Sequence, residues 1–256
     1  MDIKMKVLFK DDIISGLRQL GVEDKMDIAV HSSLSSLGYV NGGADTVIQA
    51  LKEVVTKEGS IFMPALRLSG DEPLDENDKQ NGLLRKIRIL SDDEPKSAMG
   101  IIADTFRMMP DTLVGKGVFA AASAWGKHAK EVKNMFRYLI ENNGKAVMIG
   151  VDIYSLTAMH QVEKYLPKDI SAMIKSPHLD QIYNPNQWLV EDGCVPVKAW
   201  YTIQDMAYEK GYIKDGLIGE SKCMIMDLSK VVGLYKEELI KNPYKLYGIE
   251  GRGTYE

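Results

Sequence analysis

Three short apolar runs, at 27–31, 59–64 and 145–151, constrain this chain most, because stretches of helical apolar spacing and polar turns separate them. Runs of this length without polar alternation are expected where a strand is covered on both faces, as in a parallel sheet. The helical stretches fall at 10–20 and, after Gly42-Gly43, through Val47, Ile48, Leu51, Val54 and Val55. Others fall at 97–109, 129–141, 155–166 (stopped by Pro167), 203–210 and 228–240. A further strand is expected over 118–124. Near the end, 187–190 and 195–202 flank Glu191-Asp192-Gly193 and read as a hairpin. The chain therefore reads as α/β, a three-layer α-β-α arrangement with a largely parallel central sheet and a C-terminal antiparallel annex. No repeat or linker divides it, so residues 1–256 are expected to form a single domain. The charged, aperiodic stretch 69–96, with Asp71, Glu72, Asp75, Glu76 and Asp78, reads as a mobile acidic excursion, the best candidate for a lid.

Several function classes fall away on composition. Lys and Arg number 32 against 36 Asp and Glu, a net charge of −4, so no basic excess exists for nucleic acid. No apolar run approaches the roughly 20 residues of a membrane helix, and the start lacks the apolar stretch of a signal peptide. The two cysteines, Cys194 and Cys223, lie outside any CxxC spacing, which argues against a zinc site or a disulfide framework and fits a reducing cytoplasm. P-loop, GxGxxG, GxSxG and HExxH signatures are absent, as is the Arg/Gln-x-x-Gly-x-Gly/Ala loop common among acetyl-CoA enzymes.

What remains is carried by the four histidines. In open α/β sheets ligands bind beyond the carboxyl ends of strands, which singles out His31 and His160. His128 and His178 sit in polar surroundings and read as surface residues. Glu163 stands three residues after His160, where a carboxylate can fix the imidazole tautomer and raise its basicity, as a general base for an amine or hydroxyl nucleophile requires. The residues alone leave this pair open between that role and an ordinary helical ion pair. The turn His31-Ser32-Ser33-Leu34-Ser35-Ser36 offers hydroxyls and backbone N–H groups that suit a carbonyl or phosphate oxygen, an acyl group or a pantetheine arm; a solvated turn is the alternative.

Six ordered blocks together resemble the aminoglycoside 3-N-acetyltransferase family of antibiotic N-acetyltransferases. They are Val30–Ser35 with Leu37-Gly38 and Gly42-Gly43, then Ile48-Gln49-Ala50-Leu51, Gly59–Pro64 and Met99–Arg107. Val147–Val151 follows with Thr157 and His160-Gln161-Val162-Glu163, and last comes Gly216-Leu217-Ile218-Gly219. The family's His-Pro dipeptide is missing from residues 115–122, and the late strand expected near 197–204 carries no carboxylate. The resemblance implies the antibiotic N-acetyltransferase-like fold and a cytoplasmic, acetyl-CoA-dependent transfer to an amino group of a cationic aminoglycoside, with direct attack on the thioester and no metal. His160 would be the general base, supported by Glu163. His31, Ser32, Ser33, Leu34, Ser35, Met99 and Gly100 would hold acetyl-CoA, and Asp71, Glu72 and Thr157 would meet the acceptor. The implied partners are the small-molecule amine and acetyl-CoA; nucleic acid and membrane are not expected, and a homodimer is compatible. Two other readings stand beside it: a different metabolite or natural-product amine as acceptor, and a non-catalytic relative that binds a CoA-like ligand or a partner protein.

Overall fold

The computed structural model describes residues 7–119, 121–173, 175–193 and 198–249. The strands are β1 (Val7–Leu8), β2 (Asp27–Ser32), β3 (Tyr39–Val40), β4 (Ser60–Pro64), β5 (Leu68–Asp71) and β6 (Arg85–Ile89). They continue with β7 (Leu113–Val114), β8 (Ala122–Gly126), β9 (Lys145–Ile149), β10 (Trp188–Glu191), β11 (Ile213–Ile218) and β12 (Ser221–Asp227). Seven of them form one sheet in the order β11-β12-β9-β2-β4-β8-β7. The three central strands, β9, β2 and β4, run parallel, and antiparallel pairs flank them on both edges.

The parallel centre explains the three apolar runs. Ile28, Val30, Ile61, Met63, Val147 and Ile149 point into one core, under helices Lys10–Leu20, Gly43–Val55 and Ile101–Arg107. Ala29, Phe62, Ala146 and Met148 point into the other, under Met135–Glu141, Lys198–Glu209 and Leu228–Lys241. With both faces covered, alternate residues need not be polar. The result is the expected three-layer α-β-α fold, and the C-terminal antiparallel element is the β11–β12 hairpin at the sheet edge.

Three local expectations are corrected. The hairpin arm expected at 195–202 is not a strand: from Lys198 the chain is the helix Lys198–Glu209, which buries Ala199, Trp200, Ile203 and Ala207 on one face, while 194–197, with Cys194, lie outside the described residues. The stretch 155–166 is not one helix but single 3-10 turns, Ile153–Ser155, Thr157–Gln161 and Glu163–Tyr165. The strand expected over 118–124 begins at Ala122.

The acidic excursion is also built rather than bare. β5 and β6 pair antiparallel, and β10 adds to β6, giving a separate three-stranded sheet over a small cluster of Leu83, Leu179, Tyr183 and Val190. Its charges meet one another: Lys86 Nζ lies 2.9 Å from Asp78 Oδ2, and Arg88 Nη1 lies 3.1 Å from Glu94 Oε1. Among the described residues no helix is long and apolar enough to cross a membrane.

Candidate active site

Beyond the carboxyl ends of the parallel strands opens a cleft of about 1030 Å³. Val30, His31 and Ser32 come to it from β2, Pro64 from β4, and Val151 just past β9. This is the position that the parallel topology favours for a ligand.

One wall is the serine turn, which the sheet holds rigidly. Ser33 N–H donates to Ile149 O at 2.9 Å, Ser36 Oγ–H to Ser33 O at 2.7 Å, and Ser221 Oγ–H to Ser36 Oγ at 3.1 Å. Gly150 makes the close approach possible: at φ 66° a Cβ there would lie 1.6 Å from Ser36 Oγ. The Ser33 amide is thus engaged, while those of Leu34 and Ser35 have no backbone partner among the described residues. Ser33 Oγ and Ser35 Oγ stand 3.1 Å apart.

Met99 and Gly100 form a second wall just before helix Ile101–Arg107. Gly100 takes φ 87°, a backbone conformation that favours glycine. Buried Asp104 ties this wall down, accepting Ser97 N–H at 2.6 Å and Ser97 Oγ–H at 2.8 Å. Its Oδ1 also faces two guanidinium groups, Arg67 Nη1 at 3.9 Å and Arg107 Nε at 3.7 Å.

His160 and Glu163 reach the cleft from the 3-10 turns, while neighbouring Leu156, Met159 and Val162 anchor in the core. In 3-10 geometry residues i and i+3 nearly eclipse, which helps bring the two side chains together. His160 Nδ1 lies 2.7 Å from Glu163 Oε2. An ionised carboxylate only accepts, so Nδ1 carries the hydrogen and Nε2 is the free basic nitrogen. Trp200 meets the His160 ring edge-on at 5.1 Å between centroids, and Tyr154 packs on Trp200 at 5.9 Å.

His31 sits at the floor, 7% exposed, and Nε2 has no hydrogen-bond partner among the described residues. Burial lowers its pKa from the ordinary 6.5 to about 4, so at neutral pH it is an uncharged imidazole. The linkage follows in sign. Between pH 6.5 and 4 the unfolded chain takes up a proton that folded His31 refuses, so stability falls as pH drops through that window. From pH 7 to pH 5, wild type is expected to lose about 2 kcal/mol more unfolding free energy than His31→Gln, read from urea titrations at both pH values. Equal losses would show that His31 is not held neutral.

A family model described as aminoglycoside 3-N-acetyltransferase matches residues 29–239, from β2 to helix Leu228–Lys241. The chain belongs to that family. It is therefore an acetyltransferase, as the expected acyl chemistry required. A relative in Bacillus subtilis (strain 168), SPbeta prophage-derived aminoglycoside N(3')-acetyltransferase-like protein YokD, is 27% identical over 92% of this chain and 94% of its own. The crystal structure of YokD aligns with TM-score 0.69 at 24% identity, covering 94% of this chain and 96% of that one. The structure titled AAC-IIIb binary with CoASH aligns at 0.66 and 18% identity, over 92% and 97% of the two chains. A histidine-to-alanine variant of aminoglycoside acetyltransferase AAC(3)-IVa, in complex with apramycin, aligns at 0.68 and 21% identity, over 97% of each chain. At these identities the solved structures establish the fold.

Of the residues singled out in the sequence, the cleft of this acetyltransferase gathers His31, Ser32, Ser33, Leu34, Ser35, Met99, Gly100, Thr157, His160 and Glu163. Asp71 and Glu72 are not among its lining residues. Asp71 Oδ1 lies 2.6 Å from Arg85 Nε, and Glu72 Oε1 lies 3.6 Å from Arg88 Nε. The sequence reading missed Arg85, Glu191, Tyr154, Trp200 and Tyr247, all of which line the cleft. Arg85 and Glu191 are directly opposed across β6 and β10, a cross-strand pairing of opposite charge that only the strand register reveals. His128 lies elsewhere, its Nδ1 3.0 Å from Asp27 Oδ2.

Proposed function

We propose that this cleft transfers acetyl from acetyl-CoA to an amino group by direct attack, with His160 as general base and an aminoglycoside as the acceptor that the named relatives suggest. The observation that carries the reading is the 2.7 Å contact of His160 Nδ1 with Glu163 Oε2 inside the cleft. It orients the ring, leaves Nε2 to take a proton, and stabilises the imidazolium that then forms. The amine nitrogen bonds to the thioester carbonyl carbon, Nε2 receives the amine proton, and the C–S bond breaks. The departing sulfur takes that proton, so the products are the N-acetyl amine and free thiol. The developing oxyanion needs fixed donors. The Leu34 and Ser35 amides are the candidates on the serine turn, since Ser33 N–H is engaged by Ile149. The walls also suit acetyl-CoA: Gly100 exposes backbone without a side chain, and the Ser33 and Ser35 hydroxyls offer partners to a pantetheine amide.

A second reading, with a different amine as acceptor, is favoured by one observation: Asp71 and Glu72 pair with arginines and do not line the cleft.

Glu163→Gln tests the base. It keeps the side chain's shape but removes the charge that favours the imidazolium, so kcat is expected to fall at least about tenfold. A kcat equal to that of wild type would leave Glu163 a merely structural role.

A further inference from the structure

His31 is a buried imidazole of the cleft that the reaction above does not use. It is 7% exposed, and among the described residues neither ring nitrogen makes a hydrogen bond. Its neighbour across the β2–β9 pairing is Met148, which offers no strong acceptor. A buried polar group without a protein partner calls for an explanation, and a ligand in the cleft supplies one. Nε2 is closed off from solvent and Nδ1 is not, so the cleft reaches the ring at Nδ1.

Side chains alternate along β2, so His31 shares a face with Ala29, on the side of the core that holds Met148 and Trp200. Trp200 is the ring that His160 meets edge-on. Both histidines therefore come to the cleft from the same side of the sheet, and their environments divide the chemistry between them. His160, 55% exposed at its side chain and beside Glu163, suits proton transfer. His31, buried and without a carboxylate partner, stays uncharged at neutral pH. Such a ring is a poor base, yet its N–H can polarise a carbonyl without repelling a cationic amine. The chain runs from it directly into the serine turn, where the Leu34 and Ser35 amides have no backbone partner among the described residues.

We propose that His31 is a second catalytic residue, which donates its Nδ1–H to the thioester carbonyl oxygen of acetyl-CoA and stabilises the oxyanion together with the serine-turn amides. This rests on the acetyl-transfer reading above. A carbonyl oxygen arriving at Nδ1 selects the tautomer with its hydrogen there and leaves buried Nε2 bare. As the amine nitrogen bonds to the carbonyl carbon, the C=O π electrons move onto oxygen and the hydrogen bond to it strengthens. No proton leaves His31. When the C–S bond breaks the carbonyl re-forms, and the ring is unchanged.

The test compares wild type, His31→Leu and His31→Asn in binding and in rate. Replacing an unpartnered imidazole by an apolar side chain leaves no unsatisfied polar group behind, so His31→Leu is expected to fold. Calorimetry without amine sets acetyl-CoA against S-ethyl-CoA, a thioether in which two hydrogens replace the carbonyl oxygen. The ratio of the two affinities is expected to fall about fivefold from wild type to His31→Leu, the scale of one hydrogen bond. The kcat for amine acetylation is expected to fall about 100-fold in His31→Leu, the usual cost of removing an oxyanion donor. His31→Asn is expected to be intermediate, because its amide can donate from near the Nδ1 position. If His31→Leu weakens both ligands equally, the ring serves another part of the cofactor and the proposal fails. A kcat within about threefold of wild type also overturns it. Either result leaves acetyl transfer with His160 as base standing. Wild type that releases no thiol with any amine would end that parent reading, and this proposal with it.

Discussion

His160→Ala is expected to lower kcat for amine acetylation at least about 100-fold, the usual contribution of a positioned general base. The loss should fall on kcat rather than on the KM for acetyl-CoA, because in the proposed reaction Nε2 acts on the acceptor's proton. Free thiol release, followed side by side for variant and wild type, reads this directly. His160 is 55% exposed at its side chain, so its removal opens no buried cavity and the fold should survive. Retention of near-wild-type rates across pH would remove His160 from the reaction. Trp200, in edge contact at 5.1 Å, and Glu163 hold the ring from two directions, which gives the proposed base the fixed geometry that proton transfer needs.

Asp104→Ala is expected to destabilise the fold by about 3 kcal/mol, on the scale of breaking a buried ion pair from one side. Asp104 is 3% exposed and Arg67 4%, so neither has water to replace a lost partner. Among the described residues Arg67 Nη1 and Arg107 Nε already lack hydrogen-bond partners, and the Asp104 carboxylate is the charge that offsets them. The substitution also frees Ser97, whose N–H and hydroxyl both donate to Asp104, and Ser97 leads straight into the Ala98–Ile101 wall of the cleft. A lower denaturant midpoint at unchanged slope is the expected reading. Asp104→Asn separates the two effects, because it can keep an acceptor for Ser97 while removing the charge. An alanine variant within about 0.5 kcal/mol of wild type would mean that the two arginines do not depend on this carboxylate.

The central sheet is legible in the sequence because β2, β4 and β9 are buried on both faces and write unbroken apolar runs, and the helices beside them write 3.6-residue spacing. The His160–Glu163 contact is legible too, since a histidine and a glutamate three residues apart past a buried strand need only local geometry to meet. What escapes depends on distant partners. Trp200 and Tyr201, in an aromatic, β-branched stretch, suggest a strand, yet Ala199, Trp200, Ile203 and Ala207 form the buried face of a helix. Residues 69–96 look like a bare charged loop because their organising strand, Trp188–Glu191, lies about a hundred residues further on, and only pairing with it aligns Arg85 with Glu191. The acidic pair expected to greet a cation, Asp71 and Glu72, misleads for the same reason: sequence shows charges but not which arginines neutralise them.

The most direct test of the account is the rate of free CoA thiol release from acetyl-CoA by the wild-type enzyme, measured with and without added amine. Acetyl transfer by a base-assisted direct attack predicts release that saturates with amine, matches N-acetyl product one for one, and is near zero without it. Thiol release that proceeds equally without any amine, or saturable acetyl-CoA binding with no release under any amine, would contradict it.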